Sequence, residues 1–306
     1  MSNGWMDQAK WLLSRIGVIY LLLAVIICLG VDIKTVDKRT KIRNLNGARP
    51  DFTMMNDFLE KKIPPQQMNW VPYQKYFELV MTYMPNDPTA AGLLGYVYYH
   101  AGQENKAIAL LRMTADSGPD MFWSNYNLGV VCYKKGQFEI AINYLTRAIR
   151  SNPMVIRDYA YSSVIYRQIL AGYRNNYNFK DSLMEAYSDA YLLIEASMGH
   201  LKQYDQMLSV AGSAMAMREL PYQDGHLFYA AVACLQLKQL EKALLLFERS
   251  MAVEKNNPTV YLYLSQIYKA VGKDDAAAEL MKVYQTLDKK NDPRFPYDER
   301  ISLRYL

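Results

Sequence analysis

The sequence is short of the residues that usually carry catalysis or hold a metal. It has only three histidines, His100, His200 and His226, and none has a cysteine or another histidine at the spacing a helical metal site needs. Three cysteines, Cys28, Cys132 and Cys234, stand too far apart for a disulfide framework or a metal knuckle and read as ordinary buried thiols. No glycine-rich phosphate loop, nucleophile elbow or paired-cysteine motif occurs. Glycine (15) and proline (12) are too few for a collagen-like or disordered chain. The net charge of +5 is spread out rather than gathered in one basic tract, which argues against nucleic acid and fits acidic partners or anionic headgroups. The expectation is a protein without enzymatic activity, cofactor or metal.

What is present starts with an apolar run. From Ile16 to Val31 there is no charge, and extension back to Trp11 gives residues 11–31, interrupted only by Ser14 and Arg15. As a helix this segment is about 31 Å long, enough for a hydrocarbon core of about 30 Å. Arg15 stands near one end, where its stem can snorkel to headgroups, and Trp5 and Trp11 sit where an interfacial aromatic belt would. The segment reads as a retained transmembrane anchor. The alternative is a cleaved signal peptide, with Lys10 and Arg15 as its basic region and cleavage near Cys28 and Gly30. A lipoprotein site at Cys28 is disfavoured by Ile27. Lys34, Lys38, Arg39, Lys41 and Arg43 outnumber the two cations on the other side, so the positive-inside rule places the rest of the chain in the cytoplasm. That is a single-pass protein of a bacterial inner membrane; the opposite orientation stays open.

Beyond the anchor the chain repeats itself with a step of 34: Pro85, Pro119 and Pro153, a gap at Tyr187, then Pro221. Small residues keep the same step at Gly95, Gly129, Ser163, Ser197, Ala231 and Ser265, and a second series follows at Ala107, Ala141, Asn175, Ser209, Ala243 and Ala277. Two antiparallel helices approach closely only where a small side chain lies at their crossing. Proline then stops the second helix, because it lacks an amide donor and clashes with the preceding turn. One such pair cannot bury its apolar face alone, so neighbours stack into a solenoid.

The clearest unit runs from Trp123 to Pro153, with Leu128-Gly129, Gly136-Gln137-Phe138-Glu139, Ala141, Leu145 and Ala148. Leu94-Gly95, Tyr98, Gly102, Ala107 and Leu111 repeat it, as do Leu240-Glu241-Lys242-Ala243 with Phe247 and Gly272-Lys273-Asp274-Asp275-Ala276-Ala277. These motifs resemble the tetratricopeptide-repeat (TPR) family. The resemblance implies an all-α fold: a right-handed superhelical α-solenoid of about six TPR-like helix pairs over residues 88–291, preceded by one transmembrane helix. The units between Ala171 and Leu220 are degenerate, and Tyr204-Asp205 looks like a second-helix start placed two residues early. Residues 1–10 read as an N-terminal tail, 32–50 as a basic linker, and 51–87 as an atypical helical cap or partial repeat that contains the amphipathic run Val71 to Tyr83. Residues 292–306 read as a C-terminal tail covering the exposed end of the solenoid.

In the family the first helix of each pair lines a concave groove that takes a protein or peptide partner. By that resemblance the groove here is lined by Tyr96, Tyr99, Trp123, Tyr126, Tyr133, Lys134, Arg157, Arg167, Phe228, Gln266 and Lys269. Aromatic side chains beside arginine are the usual anchors of protein interfaces. The lysine–arginine–asparagine clamp that holds acidic chaperone tails is missing, since its positions carry Gly92, Tyr96, Tyr126 and Val130. The reading is a membrane-anchored interaction scaffold or assembly factor. The alternative is a chaperone-like holdase that shields exported or membrane-inserting chains.

Overall fold

The computed structural model describes residues 23, 30, 37, 39–41, 43–59, 63, 67–117, 121–163, 165–166, 169, 179–287, 297 and 301–304. The expected transmembrane segment lies outside the described residues except for Leu23 and Gly30, and among the described residues no helix is long and apolar enough to cross a membrane. The ordered elements among the described residues are helices, with no strand.

Helices α1 (Thr53–Leu59) and α2 (Val71–Tyr83) precede the stack. Then come α3 (Pro88–His100) and α4 (Glu104–Ala115), followed by α5 (Phe122–Lys134) and α6 (Phe138–Arg150). After α7 (Pro153–Ser162) come α8 (Phe179–His200) with α9 (Tyr204–Ala216), α10 (Gln223–Gln236) with α11 (Leu240–Val253), and α12 (Pro258–Ala270) with α13 (Asp274–Thr286). Local chemistry sets the helix starts. Asp87 caps α3 by accepting from the amides of Thr89 and Ala90, and Asn257 caps α12 by accepting from Thr259, each ahead of a proline in the first turn. The turn inside each pair needs a left-handed residue. Gly102, Gly136 and Gly272 supply it at φ 77°, 71° and 75°, whereas Lys202 and Lys238 adopt φ 60° and 61° at the matching turns.

The pairs close as the small-residue series requires. Leu111 reaches within 3.0 Å of where a Cβ on Gly95 would lie, and Leu145 fills the same space at Gly129. Second helices bury one stripe, such as Ala141, Leu145 and Ala148 on α6. Repeats are tied at matching places along the 34-residue phase: Tyr98 donates to Glu78 at 2.8 Å, and Tyr268 to Glu248 at 2.7 Å.

Five stacked pairs are present among the described residues, and the stretch after α7 that would complete a sixth lies largely outside them. Two local expectations are corrected. Helix α8 runs unbroken for 22 residues and packs directly on α6 and α5, with little contact to α7. The cause is Tyr187, which stands in the gap of the proline series and lets the helix continue. Its ring stacks on Phe122 at 4.6 Å and its hydroxyl donates to the Ser151 carbonyl. In addition, α9 does begin at Tyr204, so the repeat is two residues short there. Met207 takes the buried position on α9, and Ser209, expected at the helix contact, is exposed. Asn175 lies outside the described residues. Cys132 and Cys234 are buried free thiols, and Cys28 lies outside the described residues.

The first end of the stack closes with aromatic rings. Phe52 of the loop before α1 meets Tyr73, Tyr76 and Phe77 of α2 at 5.8–6.3 Å. His100, at the end of α3, stacks on Trp70 at 5.0 Å and meets Tyr96 in a tilted contact at 4.5 Å. Burial, helped by nearby Lys134, lowers its pKa from 6.5 to about 4.

Two tests follow from this packing. Replacing Gly129 with alanine drives a methyl group into Leu145 and is expected to cost about 1–3 kcal/mol in urea unfolding. The exposed helical Gly212 has open space around it, and alanine there should stabilise by roughly 0.5–1 kcal/mol. Equal effects at the two sites would contradict the crossing geometry. For His100, the unfolded chain takes up its proton near pH 6.5 and the fold resists until about pH 4. Stability present above pH 6.5 is therefore lost as pH falls through that window, by roughly 2 kcal/mol once partial exposure is allowed for. A His100→Phe variant should lose that part of the pH dependence of its urea midpoint.

Candidate functional site

In a bare stack of helix pairs the inner face of each first helix meets solvent. Here α5 is buried continuously from Phe122 to Tyr133, and α10 from Asp224 to Cys234. Much of the cover comes from the C-terminal segment. Tyr297, Ile301 and Leu303 are at most 5% exposed. The expectation that this tail covers the exposed end of the solenoid is thus corrected: its described residues lie against the inner face, where their alternating apolar side chains and arginine find complementary partners.

Tyr297 sits at α10. Its hydroxyl donates to Asp224 Oδ2 at 2.7 Å and accepts from Asn257 Nδ2 at 2.7 Å, with its ring 5.8 Å from those of Phe228 and Tyr229. Residues 301–304 lie between α5 and α8. Asn127 Nδ2 donates to the Arg304 carbonyl at 2.7 Å, and the Arg304 amide donates back to Asn127 Oδ1 at 2.9 Å. The Tyr126 hydroxyl donates to the Ser302 carbonyl at 3.1 Å. Ile301 and Leu303 are buried while Ser302 between them is exposed, the alternation of an extended strand.

Arg304 is the charged centre of the site. Its guanidinium reaches Glu185 Oε2 and Asp189 Oδ2, each at 2.8 Å, with side chains 17% exposed for Arg304 and 1% for Asp189. Burial alone would lower the arginine pKa, but Asp189, Tyr126 and Glu185 outweigh it and hold the pKa above its ordinary value. Burial, followed by the Asp189 charge, pushes the Tyr126 hydroxyl well above its usual range, so it remains a donor. Beyond Ile301 the face opens into a pocket of about 400 Å³ lined by Val130, Tyr133, Lys134, Phe138, Leu193 and His200.

The structure distributes the eleven sequence-derived groove residues unevenly. Tyr96, Trp123, Tyr126, Tyr133 and Phe228 are buried, Tyr99 is half-buried, and Lys134 is exposed at the pocket. Arg157 lies on α7 and pairs with its neighbour Asp158 at 2.9 Å. Gln266 and Lys269 are exposed on α12, and Arg167 lies outside the described residues. The residues that hold the tail, namely Asn127, Glu185, Asp189, Asp224 and Asn257, were missed. A signal for two of them exists: acidic residues four apart on a helix, opposite a tail that carries arginine after alternating apolar residues.

One buried cluster has the residue types of a hydrolytic triad. His226 Nδ1 lies 2.9 Å from Glu195 and its Nε2 lies 3.1 Å from Ser188 Oγ. Burial raises the Glu195 pKa, partly offset by His226. All three residues are fully buried, and Ser188 donates to the Pro221 carbonyl at 2.7 Å. A substrate cannot reach this serine without parting α8 from α10, so the cluster is a buried polar core network.

Comparison with known proteins follows the same line. The family model for "Anaphase-promoting complex, cyclosome, subunit 3" matches residues 72–148. No curated protein matches the chain. Among solved structures, the C-terminal part of a TPR repeat-containing protein from Cytophaga hutchinsonii is 15% identical, with a TM-score of 0.52 over 82% of this chain and 94% of that one. YrrB, described as a TPR protein with an unusual peptide-binding site, is 12% identical, with a TM-score of 0.50 over 72% of this chain and 96% of its own. At these identities the likeness is one of fold, and the fold is a TPR-like α-solenoid.

Proposed function

We propose that this chain is a non-enzymatic interaction scaffold, tethered to a membrane through residues 11–31, that holds an extended segment of a partner protein along the inner face of α5, α8 and α10. The observation that carries the reading is the double hydrogen bond between Asn127 and the backbone of Arg304. A side-chain amide that takes both the N–H and the C=O of one residue recognises extended backbone whatever its sequence. The peptide-binding description of YrrB supports the same use of the fold. Matched polar contacts of this kind favour a scaffold with a defined ligand over a holdase, which would present an unselective apolar surface. Tethering supplies effective concentration, so a micromolar groove suffices for recruitment. The cationic stretch from Lys34 to Arg43 supports a solenoid on the cytoplasmic side of a bacterial inner membrane.

Two experiments test this reading. A photoreactive residue at exposed Lys134, beside the pocket, should give one dominant adduct in native membranes, with none from Arg150 on the outer helix α6. Replacing Asn127 with alanine should cut that adduct at least five-fold; an unchanged or scattered pattern would overturn the groove assignment. Membrane attachment is read separately. The full chain should resist alkaline carbonate extraction, and a Leu22→Asp, Ile26→Asp variant should become extractable. Extraction of the unaltered chain would remove the tether from the proposal.

A further inference from the structure

We propose that the partner segment taken by this groove is extended and cationic, with apolar residues at two alternate positions followed by arginine, and that residues 301–304 of the chain are its intramolecular competitor. The inference deepens the scaffold reading above and rests on it. Three features of the seated segment define the chemistry. The Asn127 contacts are to backbone and set register without selecting sequence. Ile301 and Leu303 face inward and Ser302 outward, so the face selects apolar residues at alternate positions. Arg304 meets two carboxylates one helical turn apart on α8, Glu185 and Asp189, each at 2.8 Å.

The carboxylate pair decides selectivity. Asp189 is almost wholly buried, so a ligand with a neutral residue at this position leaves a desolvated carboxylate without a counter-charge, and an acidic ligand adds repulsion. A cation, and arginine above all with its planar fork, satisfies both acids at once. This is the reverse of a clamp for acidic tails.

The tail is held as a ligand is held. Between residues 301 and 304 its backbone pairs with the side chains of Asn127 and Tyr126, so replacement by like chemistry in trans leaves the hydrogen bonds of the solenoid intact. A segment on the same chain competes at an effective concentration of about millimolar. A free peptide of equal intrinsic affinity therefore binds the unaltered protein only in proportion to the fraction of chains whose groove is open.

The test uses the full chain and a fluorescein-labelled peptide YDERISLRYL, the sequence of residues 297–306. Arg304→Glu places a third acid beside Glu185 and Asp189 and releases the tail. That variant is expected to bind the peptide at least ten-fold more tightly than the unaltered chain, by anisotropy. Binding should fall at least ten-fold when the peptide arginine corresponding to Arg304 becomes alanine, and again when Asp189→Asn is added to the protein. If Arg304→Glu fails to fold by circular dichroism, hydrogen exchange on the unaltered chain decides: excess peptide should strip protection from the amide of Arg304, and an arginine-free peptide should not. A folded Arg304→Glu chain that binds neither peptide overturns the inference, as does unchanged exchange at Arg304. Equal binding of both peptides overturns the cation preference but keeps a peptide groove. Formation of tail-exchanged dimers by the unaltered chain would make a second copy the occupant and overturn the proposal of a separate partner. The scaffold reading stands or falls independently on the Lys134 crosslink.

Discussion

Helix α8 passes through residue 187 without a break, and the geometry of the site depends on it. In the neighbouring units a proline at that phase ends one helix before the next begins. Tyr187 keeps its amide, so the helix continues from Phe179 to His200 and lies directly against α6. The tyrosine also locks the arrangement, with its ring on Phe122 and its hydroxyl on the Ser151 carbonyl. Glu185 and Asp189 flank it within one turn on each side. A break at 187 would separate those two carboxylates onto different elements, and the shared guanidinium contact would be lost. One residue that departs from the repeat thus keeps α8 continuous and places Glu185 and Asp189 on one helix face.

The polar character of the inner face follows from the segment that lies on it. First helices in this chain carry Asn125, Asn127, Asp189 and Asp224 at buried positions, which would be costly against an apolar neighbour. Asn127, Asp189 and Asp224 are matched by the tail: backbone for the amide, guanidinium for Asp189, a tyrosine hydroxyl for Asp224. The outer helices, by contrast, bury narrow stripes without a charged side chain, such as Ala141, Leu145 and Ala148 or Ala243, Phe247 and Ser250. Stability and recognition are therefore divided between layers. Small residues such as Gly129 against Leu145 hold each pair together, and the inner layer keeps its polar groups for a segment of extended chain.

Much of the fold could be read from the sequence because its information is local. The 34-residue step, the small residues at crossings and the amphipathic run from Val71 to Tyr83 each concern contacts within one pair or between neighbours. The two failures have physical causes. The gap at Tyr187 was visible, yet nothing local says whether a helix that is allowed to continue will do so. The two-residue shift at α9 leaves no mark at its turn either: Lys202 takes a left-handed conformation there, but so does Lys238 in a unit that keeps the phase, each at a strain of roughly 1–2 kcal/mol. The site was half legible. Aromatic residues of α3, α5 and α10 were identified as groove residues, but their covering segment, Asn127 and the acidic pair were not. Contacts that join residues 127 and 304 across the whole solenoid leave no periodic trace.

The energetics of Arg304 show why such a segment suits recognition better than it suits stability. Removing two carboxylates and a guanidinium from water costs several kcal/mol, and their mutual attraction returns about as much, so the ion pair adds little net stability. Its effect is on discrimination. Any ligand that seals this part of the groove without a cation leaves Asp189 desolvated, a penalty of about 3–5 kcal/mol, whereas a ligand that never enters pays nothing. The apolar residues Ile301 and Leu303 contribute the favourable burial, about 1.5–3 kcal/mol each. Affinity therefore comes mainly from residues that many sequences could supply, and selectivity from one residue that few could. On the proposed reading, a groove divided in this way would reject acidic and neutral chains while holding the chosen one only moderately, which is what a site with its own competing tail requires if binding is to be reversible.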